Sequence, residues 1–146
     1  MLGHLAYVFS GIKDLQALRP HHVCLELDGE PLEGEYIYGM ISNAISIGGI
    51  LRFNPDDVSL NDGYLELMLI SMPANAWELS QLIQALSTQS YAECSNIIFR
   101  RCRRLLIHTD PELPWTLDGE YAQGSDEILI ESASNAISVI VPDRAE

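Results

Sequence analysis

Positive charge is what this chain has least of. Eight Lys and Arg stand against 21 Asp and Glu in 146 residues, a net charge of −13. That balance argues against nucleic acid as a partner and gives no general attraction to an anionic membrane, while it suits a metal ion. Four of the basic residues fall together, at Arg100, Arg101, Arg103 and Arg104. They could grip a phosphate or a lipid head group; the plainer reading is an exposed strand whose arginines neutralise nearby carboxylates. Cysteine is scarce as well. Cys24, Cys94 and Cys102 form no CxxC or zinc spacing, so reduced thiols in a cytoplasmic protein are expected rather than a disulfide framework. There is no N-glycosylation sequon and no basic region followed by an apolar run. The least polar stretch, Ile37 to Leu51, is too short and too polar to span a bilayer. Any membrane contact is expected to be peripheral, at the inner face, through the arginines or exposed apolar loops.

Several chemistries are missing too. There is no GxGxxG, P-loop or GxSxG, hence no complete nucleotide site or hydrolase elbow. His4, His21, His22 and His108 are scattered. His21 and His22 could bind a metal, but neighbours in a strand point to opposite faces, and exposed loop residues after Pro20 are the plainer reading. Gly48-Gly49 alone is a weak phosphate-cradle signal.

What is present is a core. Hydrophobic content of 47% indicates a globular chain, and the length suggests one domain. A chain this long buries roughly 68–70% of its unfolded surface and needs no disulfides to do so. Leu5, Val8, Phe9, Ile12 and Leu15 predict a helix over 2–18, ended by Pro20. Strands are expected at 22–28 and 34–44, with a short one between the Gly48-Gly49 and Asn54-Pro55 loops. Asn61-Asp62-Gly63 reads as a turn into the apolar run Tyr64 to Met72. Leu79, Leu82, Ile83 and Leu86 predict a helix at 76–88. Asn96 to His108 reads as strand in part, and Trp115–Leu117, Glu127–Ser132 and Ala136–Val141 as strands. Seven or eight short strands with two helices, and no βαβα alternation, favour a mainly β domain: a β-sandwich with a few peripheral helices.

Two features carry candidate chemistry. The tetrapeptide Leu-Asp-Gly-Glu occurs at 27–30 and again at 117–120. The first copy lies between alternating runs and reads as a hairpin turn. The second follows Trp115 and reads as a site. In an extended segment Asp118 and Glu120 would share a face, and two like charges that close raise one pKa and make a proton acceptor. Gly119 would let a substrate approach the backbone. The other feature is the oxygen cluster Asp56, Asp57, Asn61 and Asp62, which suits Mg²⁺ or Ca²⁺ although its spacing is not that of an EF-hand.

Three segments in order resemble one family. They are Leu2-Gly3-His4-Leu5-Ala6-Tyr7; then Ile41-Ser42-Asn43-Ala44, Gly48-Gly49, Asn54-Pro55 and Asn61-Asp62-Gly63-Tyr64-Leu65-Glu66-Leu67; and last Trp115-Thr116-Leu117-Asp118-Gly119-Glu120, closing at Val141-Pro142. Together they resemble the C-terminal domain of bacterial soluble diacylglycerol kinases, a lipid kinase family sharing its fold with NAD kinases. The likeness covers residues 2 to 142. It departs at Ala44 and at Ile47-Gly48-Gly49-Ile50, where the family often has a further glycine.

The resemblance implies that residues 1–146 form the second, β-sandwich domain of an ATP-dependent lipid kinase acting on a lipid hydroxyl such as that of diacylglycerol. The preceding ATP-binding domain with its GGDGT loop is not in this sequence, so the chain reads as an excised domain or a truncated product, inactive or nearly so by itself. Its partners would be the lipid substrate and that N-terminal domain; a homodimer is permitted. Asp118 and Glu120 match the family's catalytic Asp-Gly-Glu, with Asp118 as the base and Glu120 supporting it or helping to hold catalytic Mg²⁺. Asp62 matches an aspartate that binds structural Mg²⁺, completed by backbone carbonyls at Ser59 and Tyr64. The readings set against this are a non-catalytic β-sandwich binding module, a glycoside hydrolase fragment and an NAD kinase relative.

Overall fold

The strand Leu65–Ile70 is buried along nearly its whole length, and the rest is arranged around it. The computed structural model describes residues 18–44, 46–47, 51–52, 61–138 and 140. The predicted 2–18 helix falls almost entirely outside these residues, and Gly48-Gly49, Asn54-Pro55, Asp56, Asp57, Ser59 and Val141-Pro142 lie outside them.

Among the described residues the chain forms eleven strands: β1 His21–Leu27, β2 Glu30–Tyr36, β3 Tyr38–Ser42, β4 Ser46–Ile47, β5 Leu51–Arg52, β6 Leu65–Ile70, β7 Ile97–Cys102, β8 Arg104–His108, β9 Trp115–Leu117, β10 Glu120–Ala122 and β11 Glu127–Glu131. One α-helix, α1, spans Ala76–Thr88. Every strand pairing is antiparallel. A four-stranded sheet runs β11-β8-β1-β2 and a three-stranded sheet β3-β6-β7; β9-β10 and β4-β5 are separate two-stranded ribbons.

The alternation of β6 explains the layers. Leu67 and Leu69 face the four-stranded sheet, where they pack with Val23, Leu25, Leu27, Leu105 and Ile107. Met68 and Ile70 face the other way and pack with Leu82 and Ala85 of α1, Tyr91 and Ile97. Side chains of one strand alternate across a sheet, so a sheet covered on both faces reads as a continuous apolar run. The architecture is a β-sandwich with a helix on its outer side.

The helix follows its sequence closely. The Asn75 side chain accepts hydrogen bonds from the N–H groups of Trp77 and Glu78, both at 3.0 Å. Glu78 accepts from the Ala74 N–H at 2.7 Å, so donors left unpaired at a helix start are met locally. Gln89, at φ 64°, ends the helix in the left-handed conformation.

Two single-residue bends divide what reads as longer strands. Ile37 separates β2 from β3 and Arg103 separates β7 from β8, and at each the chain passes from one sheet to the other. Such corners are how strands switch sheets in a sandwich. One expected strand is not found: Ala136–Ser138 and Ile140 carry no ladder. Among the described residues β11 pairs with β8 alone. Alternation makes a strand only where a neighbour takes its backbone hydrogen bonds.

Candidate functional site

The two Leu-Asp-Gly-Glu copies fold alike. Leu27 pairs with Glu30 across β1-β2, and Leu117 pairs with Glu120 across β9-β10. Each Asp-Gly is therefore a two-residue hairpin loop. Asp28 and Gly29 sit at φ 50° and 93°, Asp118 and Gly119 at 51° and 90°. Two successive positive φ angles define the turn whose twist matches that of the flanking strands, and Asp-Gly is among the pairs that adopt it most readily.

What meets the turns differs. The Asp28 carboxylate accepts hydrogen bonds from the Arg103 N–H at 3.0 and 3.1 Å and the Arg104 N–H at 2.8 Å. The Asp28 N–H donates to the Arg104 carbonyl at 3.0 Å. The first turn is thus a clasp on the β7-β8 corner. The second turn stands at the end of a free ribbon. Leu27 is 8% exposed, whereas Leu117 is 67% exposed and Tyr121 75%. Asp118, Gly119 and Glu120 are all exposed. At the ribbon's base, Trp115 packs on the core between the sheets. There Gly124 lies so near the carbonyls of Pro111 and Leu113 that a Cβ would stand 2.5–2.6 Å from them.

The expectation that alternation puts Asp118 and Glu120 on one face does not describe this geometry. Asp118 is a left-handed turn residue and Glu120 the first residue of the returning strand. The turn, not a strand's period of two, brings both carboxylates to the tip. Leu117, Trp115, Glu120 and Ala122 occupy one face of the ribbon, and Thr116 and Tyr121 the other.

Asp62 is engaged on both oxygens. Oδ1 accepts from the Tyr64 N–H at 2.9 Å, and Oδ2 forms an ion pair with Arg101. Arg101 is opposite Glu66 in the β6-β7 register, and its Nε lies 3.6 Å from Glu66 Oε1, ion-pair distance but too long for a hydrogen bond. The guanidinium groups of Arg101 and Arg103 stand 4.9 and 4.6 Å from the Tyr64 ring centre, near enough for cation–π attraction. Glu66 is fully buried with neither oxygen hydrogen-bonded. Burial pushes its carboxyl above the usual range, and Asp62 adds to that, against the pull of Arg101. The oxygen donors here are of the class Mg²⁺ takes. With Arg101 already on Asp62, however, the described residues do not fit a divalent cation at that carboxylate; Ser59, the third expected ligand, lies outside them.

Two of the four arginines of the cluster are ion-paired: Arg101 as above, and Arg104 with Glu26 at 3.6 Å and Glu131 at 3.4 Å. Sequence reasoning overlooked Glu66. Its signal was there, as a lone carboxylate inside the apolar run Tyr64 to Met72, but its partner is set by a register between strands far apart in the chain.

The fold has counterparts among known proteins. Residues 1–141 match the family described as YegS C-terminal NAD kinase beta sandwich-like domain. The diacylglycerol kinase of Bacillus subtilis (strain 168) is 33% identical over 121 residues, 83% of this chain and 39% of that protein. The diacylglycerol kinase of Staphylococcus carnosus (strain TM300) is 27% identical over 120 residues, 82% of this chain and 39% of that protein. The solved structure of a diacylglycerol kinase from Bacillus anthracis str. Sterne superposes with a TM-score of 0.61 at 25% identity, covering 91% of this chain and 44% of that one. The chain thus spans 39% of the length of the curated relatives it matches. It belongs to the family of YegS C-terminal NAD kinase beta sandwich-like domains, the C-terminal domain of diacylglycerol kinases and their relatives.

Proposed function

We propose that this chain supplies the acceptor side and the catalytic carboxylates of an ATP-dependent lipid kinase, with diacylglycerol or a similar lipid alcohol as acceptor. The observation that carries the proposal is the free Asp118-Gly119-Glu120 tip. An identical turn at 28–30 is bound to a strand corner through the Asp28 carboxylate, while Asp118, Gly119 and Glu120 are all exposed among the described residues. A substrate and a second domain can both reach it.

In the proposed step Asp118 takes the proton of the lipid hydroxyl as that oxygen bonds to the γ-phosphorus of ATP. The bond from that phosphorus to the bridging oxygen breaks, and ADP leaves with the electron pair. Glu120, one residue beyond the turn, orients the hydroxyl. Phosphoryl transfer needs little covalent help from a protein, so placement and charge are what these residues contribute. Leu117 on one face of the ribbon and Tyr121 on the other offer apolar surface to the lipid. Mg²⁺ enters with ATP, where it neutralises phosphate charge. ATP itself is held by an N-terminal domain, and the chain alone transfers no phosphate.

The test is transfer of radiolabelled phosphate from ATP to a panel of lipid alcohols, in the full-length protein carrying this chain and in its Asp118→Asn form. Transfer that is lost in the variant, with the fold intact, supports the reading. Undiminished transfer in the variant removes Asp118 from the base role. No transfer to any lipid in the parent leaves a β-sandwich binding module as the better description.

A further inference from the structure

We propose that the outer face of the four-stranded sheet carries a transition-metal site, with His22, Cys24 and Glu33 as ligands to a zinc-type divalent cation. One ligand atom from each of the three lies within 4.8 Å of those of the other two. His22 Nε2 and Glu33 Oε1 are already 2.9 Å apart. Donors about 2.0–2.3 Å from a tetrahedral zinc are about 3.3–3.7 Å from one another, so drawing the three onto one ion needs side-chain shifts of about an ångström.

The site arises because β1 begins at His21. His22 is therefore a strand residue, not part of a loop after Pro20. Val23, Leu25 and Leu27 turn into the core, which sends His22, Cys24 and Glu26 outward. The ladder supplies the rest. Cys24 is opposite Glu33 on β2 and opposite His108 on β8. Residues directly opposite in an antiparallel pair share a face, so a row Glu33-Cys24-His108 crosses three strands. His108 is the residue available for a fourth position. The cysteine and histidine spacings in the sequence give no hint of this, because the ligands are assembled across strands and not along one.

The chemistry of the donors selects the metal. A thiolate, an imidazole and a carboxylate form a mixed set that suits zinc and its neighbours and does not suit Mg²⁺ or Ca²⁺. A thiolate and a carboxylate together balance a divalent charge. Glu35, opposite His22, and Glu127, 3.8 Å from His108 Nδ1, add a negative field. A bound ion would tie β1 to β2 at mid-strand, opposite the hairpin's core face. The site is independent of the kinase reading, and its test has no activity readout.

Co²⁺ is titrated into the reduced full chain and followed by absorption. The expected result is a thiolate-to-cobalt charge-transfer band that saturates at one equivalent and is displaced by Zn²⁺. Cys24→Ser removes the band, whereas Cys94→Ser and Cys102→Ser keep it, since both thiols are buried elsewhere. His22→Ala and Glu33→Gln weaken Zn²⁺ roughly tenfold or more against a chromophoric chelator, at least the loss seen on removing an outer partner of a ligand. Circular dichroism of each variant separates loss of the site from loss of the fold. A natively folded parent with no such band, or a band that survives Cys24→Ser, overturns the proposal.

Discussion

The same four residues, Leu-Asp-Gly-Glu, are used twice in one chain, and the two uses could hardly be told apart by backbone. Both are two-residue loops at positive φ, with the leucine paired to the glutamate. The difference lies in what faces each aspartate. Asp28 meets the N–H groups of Arg103 and Arg104 where the chain crosses between sheets, and its leucine is in the core. Asp118 sits on an exposed ribbon anchored at its base by Trp115. Local sequence sets the turn; its surroundings decide whether the carboxylate is spent on structure or left exposed.

The widest separation is expected between the two aspartates. Asp118→Asn in the full-length protein should lower kcat by about 10²–10⁴-fold, the range general-base removal usually costs, with the unfolding midpoint of the variant unchanged. Asp28→Asn should do the reverse: kinase turnover at the parental rate, and a stability loss of about 1–2 kcal/mol in urea unfolding. A charged acceptor contributes about 1.5–3 kcal/mol in general, and water reaching this exposed turn reduces it. If Asp28→Asn leaves stability alone, the clasp is an incidental contact and the comparison collapses.

The glycines sharpen the same point. Neither Gly29 nor Gly119 has an atom within 4 Å of its would-be Cβ, so alanine meets no clash at either and only the left-handed backbone resists it. That resistance is about 1–2 kcal/mol at both. Gly29→Ala should lower global stability by about that amount, because β1-β2 belongs to the core sheet. In Gly119→Ala the same strain opens only the ribbon, so thermal unfolding should hold while hydrogen exchange at Leu117 and Glu120 accelerates. Equal midpoint losses would mean that the ribbon is part of the cooperative core.

Much of the fold was legible locally. Leu79, Leu82, Ile83 and Leu86 place α1 closely, and alternation before Asp28-Gly29 gives the turn and β1, but the returning strand, expected at 34–44, is Glu30–Tyr36. The sandwich followed from the strand count, and separately from the family resemblance of the three motif segments. Less legible were features set by partners distant in sequence. Ile37 and Arg103 bend the chain between sheets without Gly or Pro to mark the place. The pairing of Glu66 with Arg101 depends on register. The end of the chain misled for the same reason: Ala136-Ile137-Ser138 alternates, yet among the described residues no strand beyond β11 receives it. At the candidate site the residues Asp118 and Glu120 were legible and their geometry was not, since the second copy was taken as extended when it turns like the first.

The smallest effect tests the rule that surroundings decide a carboxylate's use, in its opposite limit. Glu66 is neither clasped nor free; it is fully buried, with no hydrogen bond to either oxygen and Arg101 at 3.6 Å. Burial raises its carboxyl above the ordinary value of 4.5. Below that value the residue is protonated both folded and unfolded, and its burial as a charge costs nothing. As pH rises from there through the raised folded value, the unfolded chain ionises first and stability falls. Glu66→Gln removes that dependence. The variant should match its parent in acid and exceed it by about 1 kcal/mol at neutral pH, the low end of the cost of an unsatisfied buried polar group, with the gap opening upward from about the ordinary carboxylate pKa. Urea unfolding of both forms across that range is the measurement. Asp62 keeps Arg101 paired in the variant, so the comparison isolates Glu66. A variant less stable than its parent at neutral pH would mean that the pull of Arg101 outweighs the burial of the charge, and that Glu66 belongs with Asp28 among the carboxylates that hold the fold.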